Sequence, residues 1–202
     1  MIVRNDSSVL EKEVLFLKEL QADISEWGEL LLEFHLPHWD ELPDLDLYMD
    51  QVITLIDKYL SPVIQAEKHS LLTSSMVNNY VKQGMIPPPE KKRYTRRHVA
   101  FLVAITLLKQ VLTIQEIKDG ILFQGKVIGI RNAYNLFCDE QEKAIHQICL
   151  QAMGKPSERS NQPIAVEYLA VKAATASFAN KLLAEKVVAM ESQYLEKGEE
   201  NE

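Results

Sequence analysis

LLTSSMVNNYVKQGMIPPPEKKRYTRRHVAFLVAITLLKQVLTIQEIKDG, residues 71–120, is the most informative stretch of the chain. Thr73 opens a short helix through Gln83. Leu72, Met76, Val77, Tyr80 and Val81 form its apolar set, and Ser74, Ser75, Asn78, Asn79 and Lys82 its polar face. Gly84 is a natural terminator. Met85, Ile86 and the prolines 87–89 must be extended, because proline cannot sit inside a helix. The basic run Lys91-Lys92-Arg93-Tyr94 follows. Thr95 caps an apolar helix from His98 to Val111, whose Val99, Phe101, Leu102, Ile105, Leu107 and Leu108 are core candidates. Thr113 and Glu116 fit a capping box for a short helix, Ile114 to Lys118, ended by Gly120.

Helical periodicity continues outward in both directions. Ser7 and Ser8 can cap a first helix from Val9 to Ile24 with an apolar stripe of Leu10, Val14, Leu15, Leu17 and Leu20. Asp23, Ser25 and Gly28 are expected to interrupt it before Leu30–Phe34. Pro37 and Pro43 mark a loop. A second helix should start at Asp44 or Asp46 and run to Leu60, where Ser61-Pro62 stops it. Beyond the central segment, Lys126–Ile130 is compatible with a short strand. A clean helix covers Asn132 to Met153, and a loop covers Gly154 to Pro163. The last helix, Ile164 to Leu195, is Ala-rich and apolar around much of its circumference, which requires cover from this chain or from a second copy.

Composition bounds the function. With 47% apolar residues in 202, a sizeable core is available, and 7 Gly and 8 Pro argue against a turn-rich β fold. No apolar run approaches the roughly 18 residues of a membrane span, and no secretory signal opens the chain, so a cytoplasmic location is expected. Cys138 and Cys149 are expected to be buried and reduced. His35, His38 and Asp40 surround Pro37 and read as loop rather than metal ligands. Most of the acids Asp40, Glu41, Asp44, Asp46 and Asp50 read as helix N-terminal residues rather than paired catalytic carboxylates. No nucleophile–base, P-loop or dinucleotide signature is present, so neither an enzyme nor a cofactor or metal is expected. The net charge of −7 is unevenly spread. Between Leu71 and Leu112 lie seven basic residues and one acid, against 15 basic and 28 acidic residues elsewhere. A local basic stretch of this kind is what phosphate binding needs.

In this region the chain resembles the mercury-resistance-regulator (MerR) class. The matching signals are Tyr80 with Gly84; Met85-Ile86 with Pro87, Pro88 and Pro89; Lys92-Arg93-Tyr94-Thr95; and Leu112-Thr113 with Glu116-Ile117. More closely, Leu42 to Gly120, with its phrase Leu45-Asp46-Leu47-Tyr48-Met49-Asp50-Gln51, resembles an uncharacterised bacterial family defined as a domain of unknown function. The resemblance implies an all-α, mainly helical fold with a winged helix-turn-helix module at 42–121. A helical extension at 1–41 would precede it, and a C-terminal helical region at 122–202 would serve dimerisation or an effector. It implies a sequence-specific transcriptional regulator that binds double-stranded DNA as a homodimer. Candidate DNA-binding residues are Thr73, Ser74, Ser75, Asn78, Asn79, Lys82, Lys91, Lys92, Arg93, Tyr94, Arg96 and Arg97. Asn can pair bidentately with adenine, and the basic run suits phosphates. Tyr94 suits packing of the wing on the core. Arg96 and Arg97 stand at the unfavourable end of a helix dipole, which calls for a nearby negative partner. No residue pattern identifies a small-molecule effector. The alternative is a protein-interaction module that keeps this shape without binding DNA.

Overall fold

The structure is a computed structural model that describes residues 7–64, 71–156 and 163–199. Within them the chain is mainly helical: α1 (Ser7–Leu31), α2 (Met49–Leu60), α3 (Ser74–Lys82), α4 (Arg96–Leu108), α5 (Ile114–Val127), α6 (Ile130–Ala152) and α7 (Val166–Glu199). No strand occurs among the described residues, only two isolated antiparallel bridges, Leu47 with Tyr94 and Glu90 with Arg93. No helix there is long and apolar enough to cross a membrane. Parts of the expected loops, residues 65–70 and 157–162, lie outside the described residues, as does the end of the acidic tail.

Helix α4 is the centre of the core. Every residue from His98 to Leu107 is buried, and α4 packs against α2, α6 and α7. Its sequence, RRHVAFLVAITLL, is apolar on all sides after the first turn, so its neighbours must surround it. Helix α7 is covered within the chain along one face: Ala174, Thr175, Phe178 and Ala179 are buried, and its main partner is α6. Val166, Val188 and Leu195 stay exposed on the same helix. Cys138 and Cys149 are free and buried on α6. Burial pushes their thiols up to about 12 and about 11, so both stay protonated and unreactive near neutrality.

Several boundaries differ from the sequence expectation, each for a physical reason. Helix α1 is unbroken through Asp23, Ser25 and Gly28. Gly28 is buried in α1 where a Cβ would sit 3.0 Å from the Cys149 carbonyl oxygen and 3.1 Å from Ala152 Cβ. Glycine therefore permits close approach of α1 to α6, which outweighs its low helix propensity. Helix α2 starts at Met49 rather than at Asp44 or Asp46, because Leu47 and Tyr94 exchange two backbone hydrogen bonds of 2.8 Å that hold this stretch extended. Of the acids Asp40, Glu41, Asp44, Asp46 and Asp50, most of them expected at a helix N-terminus, only Asp50 lies in the first turn of α2. Helix α4 begins two residues earlier than expected, at Arg96, and ends earlier, at Leu108. Helix α5 runs through Gly120 to Val127, so the strand considered at Lys126–Ile130 does not form. The break comes at Ile128-Gly129, where Gly129 has φ 81° and precedes α6.

Gly28 in α1 and Gly120 in α5 should respond oppositely to Ala. A Cβ at Gly120 meets nothing within 4 Å, so Gly120→Ala should raise stability by about 0.5–1 kcal/mol in urea unfolding. Gly28→Ala should lower it, because backbone and Ala152 stand in the way.

Candidate nucleic-acid interface

Helix α3 presents a polar face whose two ends are tied down. At its start the Thr73 hydroxyl accepts the Met76 N–H at 3.2 Å. At its end the Gly84 N–H reaches the Val81 carbonyl at 3.0 Å and the Met85 N–H reaches the Tyr80 carbonyl at 2.9 Å. This is a Schellman closure, and it requires the left-handed Gly84, φ 66°. Lys118 Nζ on α5 donates to the Gln83 carbonyl at 2.7 Å and satisfies another terminal acceptor. Val77 and Tyr80 are buried, while Ser74, Ser75, Asn78, Asn79 and Lys82 are exposed. The 3.6-residue period thus separates the anchoring face from the outward one. Thr73 itself is half-buried and spent on the cap.

After α3 the extended chain reverses at Glu90-Lys91-Lys92-Arg93. Lys91 has φ 48° and Lys92 φ 62°, and the Arg93 N–H donates to the Glu90 carbonyl at 2.8 Å. Two consecutive left-handed residues across one hydrogen bond are the pattern of a type I′ turn, for which Asn-Gly is the favoured pair. Two lysines there cost of the order of 1 kcal/mol each in backbone strain. They also place two exposed ammonium-bearing side chains at the tip of the reversal. A Lys91→Asn/Lys92→Gly variant should therefore gain about 1 kcal/mol in thermal or urea unfolding. The same variant removes both tip charges.

The rest of the basic run is divided between packing and surface. Tyr94 is 3% exposed and is not available to a ligand; its ring stands edge-on to His98 at 5.4 Å. The Arg93 guanidinium lies 3.9 Å from the Tyr48 ring centroid and is half-buried. Arg96 Nε donates to the Leu42 carbonyl at 3.1 Å, and its Nη2 lies 3.4 Å from Asp44. At 20% side-chain exposure, Arg96 fastens the loop before α2. The negative partner expected for it at the N-terminus of α4 is thus a carboxylate of the chain itself. Arg97 is exposed, its guanidinium 5.4 Å from the Phe101 ring centroid. Lys109 is half-buried with Nζ 2.7 Å from the Leu71 carbonyl, and desolvation lowers its pKa. Of the basic candidates, Lys82, Lys91, Lys92 and Arg97 remain as exposed cations.

His98 locks this region to the core. Its Nδ1 accepts the Thr95 backbone N–H at 3.0 Å, which fixes the neutral tautomer with the proton on Nε2. Nε2 then donates to the Pro87 carbonyl at 3.2 Å. Burial lowers the imidazole pKa, against the opposing pull of the Pro87 hydrogen bond. The unfolded chain would protonate His98 near pH 6.5 while the folded chain resists. Stability is therefore full above about pH 6.5 and falls as pH drops toward the lowered folded value. Urea midpoints at pH 7.5 and 5.5 should show a His98-dependent drop that a His98→Leu variant lacks.

The remaining polar candidates cluster elsewhere. Asp40 pairs with Arg131 and lies 4.0 Å from Arg96, and Glu41 accepts the His38 backbone N–H at 2.7 Å. That hydrogen bond is the main cause holding the Glu41 carboxyl below its ordinary range. Among the described residues no group of three His, Cys, Asp or Glu side chains is arranged to hold a metal. The roles of Lys109 and Lys118 were not visible in the sequence. Each acts on a carbonyl 38 or 35 residues away, and a lone lysine gives no signal for that.

A family model described as "Domain of unknown function (DUF1836)" matches residues 37–137, from the loop before α2 into α6. No curated protein and no solved structure compared with the chain matches it.

Proposed function

Since the chain belongs to the DUF1836 family by a match over half of its length, and that family's description names no activity, we propose from its own geometry that it is a sequence-specific DNA-binding regulator of transcription. In this reading α2 and α3 are the helix pair of a winged helix-turn-helix, residues 85–94 are its short wing, and α4 and α5 follow as in MerR-class proteins. The observation that carries it is the outward face of α3: Ser74, Ser75, Asn78, Asn79 and Lys82 exposed on a helix fixed at both ends. A pre-ordered helix with small polar side chains is what enters a major groove, and adjacent asparagines can read adenine edges. Lys91 and Lys92 at the turn and Arg97 on α4 would contact flanking phosphates, which position the protein without reading sequence. The compact turn limits the wing to phosphate contact. The exposed apolar residues of α7, Val188 and Leu195, favour a homodimer, and a two-fold dimer would read an inverted repeat.

The test is selection from a randomised duplex library with the full chain. Enrichment of one sequence, weakened by Asn78→Ala/Asn79→Ala, supports the reading. Binding that enriches nothing leaves a non-specific phosphate binder. No binding by folded protein makes a protein-interaction module the working description.

A further inference from the structure

Between α4, α5, α6 and the first turns of α7 lies a half-open apolar cleft of about 480 Å³. Val166, Ala170, Ala173 and Ser177, all exposed, line it on α7. Phe123 of α5 lines it too and is 53% exposed, next to Leu122 at 58%. The charged residues of the wall are Glu116 and Glu167, and no lysine, arginine or histidine among the described residues lines it. Shutting those carboxylates in with an apolar ligand would cost their solvation. A helix laid across the mouth instead fills the apolar part and leaves the acids at a wet rim.

A second, independent observation lies at the other end of α7. With 3.6 residues per turn, Ala184, Val188, Glu191 and Leu195 fall within about 40° of Val166 around the helix axis. All four are exposed, and the two large side chains, Val188 at 57% and Leu195 at 67%, have no cover within the described chain. Asn180 stands on the same face, exposed, midway between Val166 and Leu195. One end of this face therefore opens into a cleft, and the other end carries apolar knobs. A surface with a socket and a knob on either side of a midpoint is complementary to itself under a two-fold rotation.

We propose that the cleft is closed by a second copy of the chain: two α7 helices pair antiparallel about a two-fold axis at Asn180, and the turns Ala184–Leu195 of each copy cover the cleft of the other. The midpoint sets the register. Leu195 of one copy lies on Val166 of the other, Val188 on Ala173, and Asn180 on Asn180. Ala170 and Ala173 let the second helix approach closely, and the Ser177 hydroxyl is already spent on the Ala173 carbonyl at 2.7 Å. Asn180 Nδ2 donates to the Ala176 carbonyl at 2.8 Å, which leaves Oδ1 and a second N–H for its symmetry mate. A polar pair at one point of an apolar seam fixes the register. A parallel pairing would set cleft against cleft and Glu191 against Glu191. A contact strip about 43 Å long and roughly 12 Å wide covers about 500 Å² on each copy, and the α5 wall of the cleft adds to it, which clears the roughly 1,000 Å² total of a stable interface. The pairing deepens the homodimer of the proposed function, and it stands whether or not the dimer binds DNA.

Light scattering and disulfide trapping of the full chain test the pairing. The natural chain at tens of micromolar should show twice the mass of one chain. Ala173→Glu at the cleft and Val188→Glu/Leu195→Glu at the knobs should each halve that mass with an unchanged circular dichroism spectrum, since all three side chains are exposed within one copy. Cys138 and Cys149 are buried with raised thiols, so cysteines placed on the face are the reactive ones. Under mild oxidation Ala173→Cys/Val188→Cys should form a covalent dimer, and Asn180→Cys should link to itself across the axis. Ala173→Cys or Val188→Cys alone should stay unlinked, because in this register like residues of the two copies stand about 22 Å apart. A natural chain that is monomeric, a dimer that survives both glutamate variants, or a Val188→Cys chain that links to itself as readily as the double variant would overturn the proposal.

Discussion

Replacing Lys82, Lys92 and Arg97 together by Ala is expected to lower affinity for duplex DNA about 10²-fold in 150 mM salt, with the fold intact. All three side chains are exposed, on α3, at the tip of the turn and in the first turn of α4. None shares the packing roles of Arg93, Arg96 or Tyr94, so their loss costs little stability. Each phosphate contact releases about 0.9 of a counterion, so the triple variant, which removes three contacts per chain and six in the proposed dimer, should flatten the slope of log K against log salt by about 5.4. The loss should be uniform across sequences, because phosphate contacts carry no base information. Fluorescence anisotropy with a labelled duplex at three salt concentrations checks both numbers. A triple variant that binds like the natural chain would place the DNA surface elsewhere.

The largest effect on stability is expected at Leu102. It is fully buried near the middle of α4, the helix that packs against α2, α6 and α7. Leu102→Ala removes three carbons and leaves a void that a helix enclosed on all sides cannot collapse to fill. The expected cost is about 3 kcal/mol, within the range of buried Leu→Ala changes. Against a typical domain stability of about 5–15 kcal/mol, that is a large fraction. Leu122, 58% exposed on α5, is the control: its replacement by Ala should cost less than about 0.5 kcal/mol. Urea denaturation of the two variants beside the parent measures the difference. Equal costs would mean that α4 is not the centre of the core.

What was legible in the sequence was local chemistry. Thr73, Gly84, Thr95 and the Thr113–Glu116 box act within four residues of themselves, and each marks a helix end in the structure. Apolar periodicity likewise identified the buried faces of α3 and α6. Glycine was misleading where its reason is tertiary. Gly28 looks like a break until Cys149 and Ala152 of α6 are beside it, and Gly120 looks like a stop although α5 continues to Val127. The start of α2 was misplaced because Leu47 is held by Tyr94, 47 residues later. The basic run shows the same limit. Charge alone could not divide the exposed Lys91, Lys92 and Arg97 from Arg96, whose partners Leu42 and Asp44 lie more than 50 residues upstream. The cavity beside Gln124 had no sequence signature at all, since it is formed by four helices.

The most direct test of the DNA-binding reading is a titration of the folded full chain against labelled duplex DNA at 50, 100 and 200 mM salt. Four exposed cations per chain, Lys82, Lys91, Lys92 and Arg97, make eight in the proposed dimer and predict a slope near −7.2 and about a 2 × 10⁴-fold loss of affinity across that range. Binding that is absent at 50 mM, or that ignores salt, would contradict it.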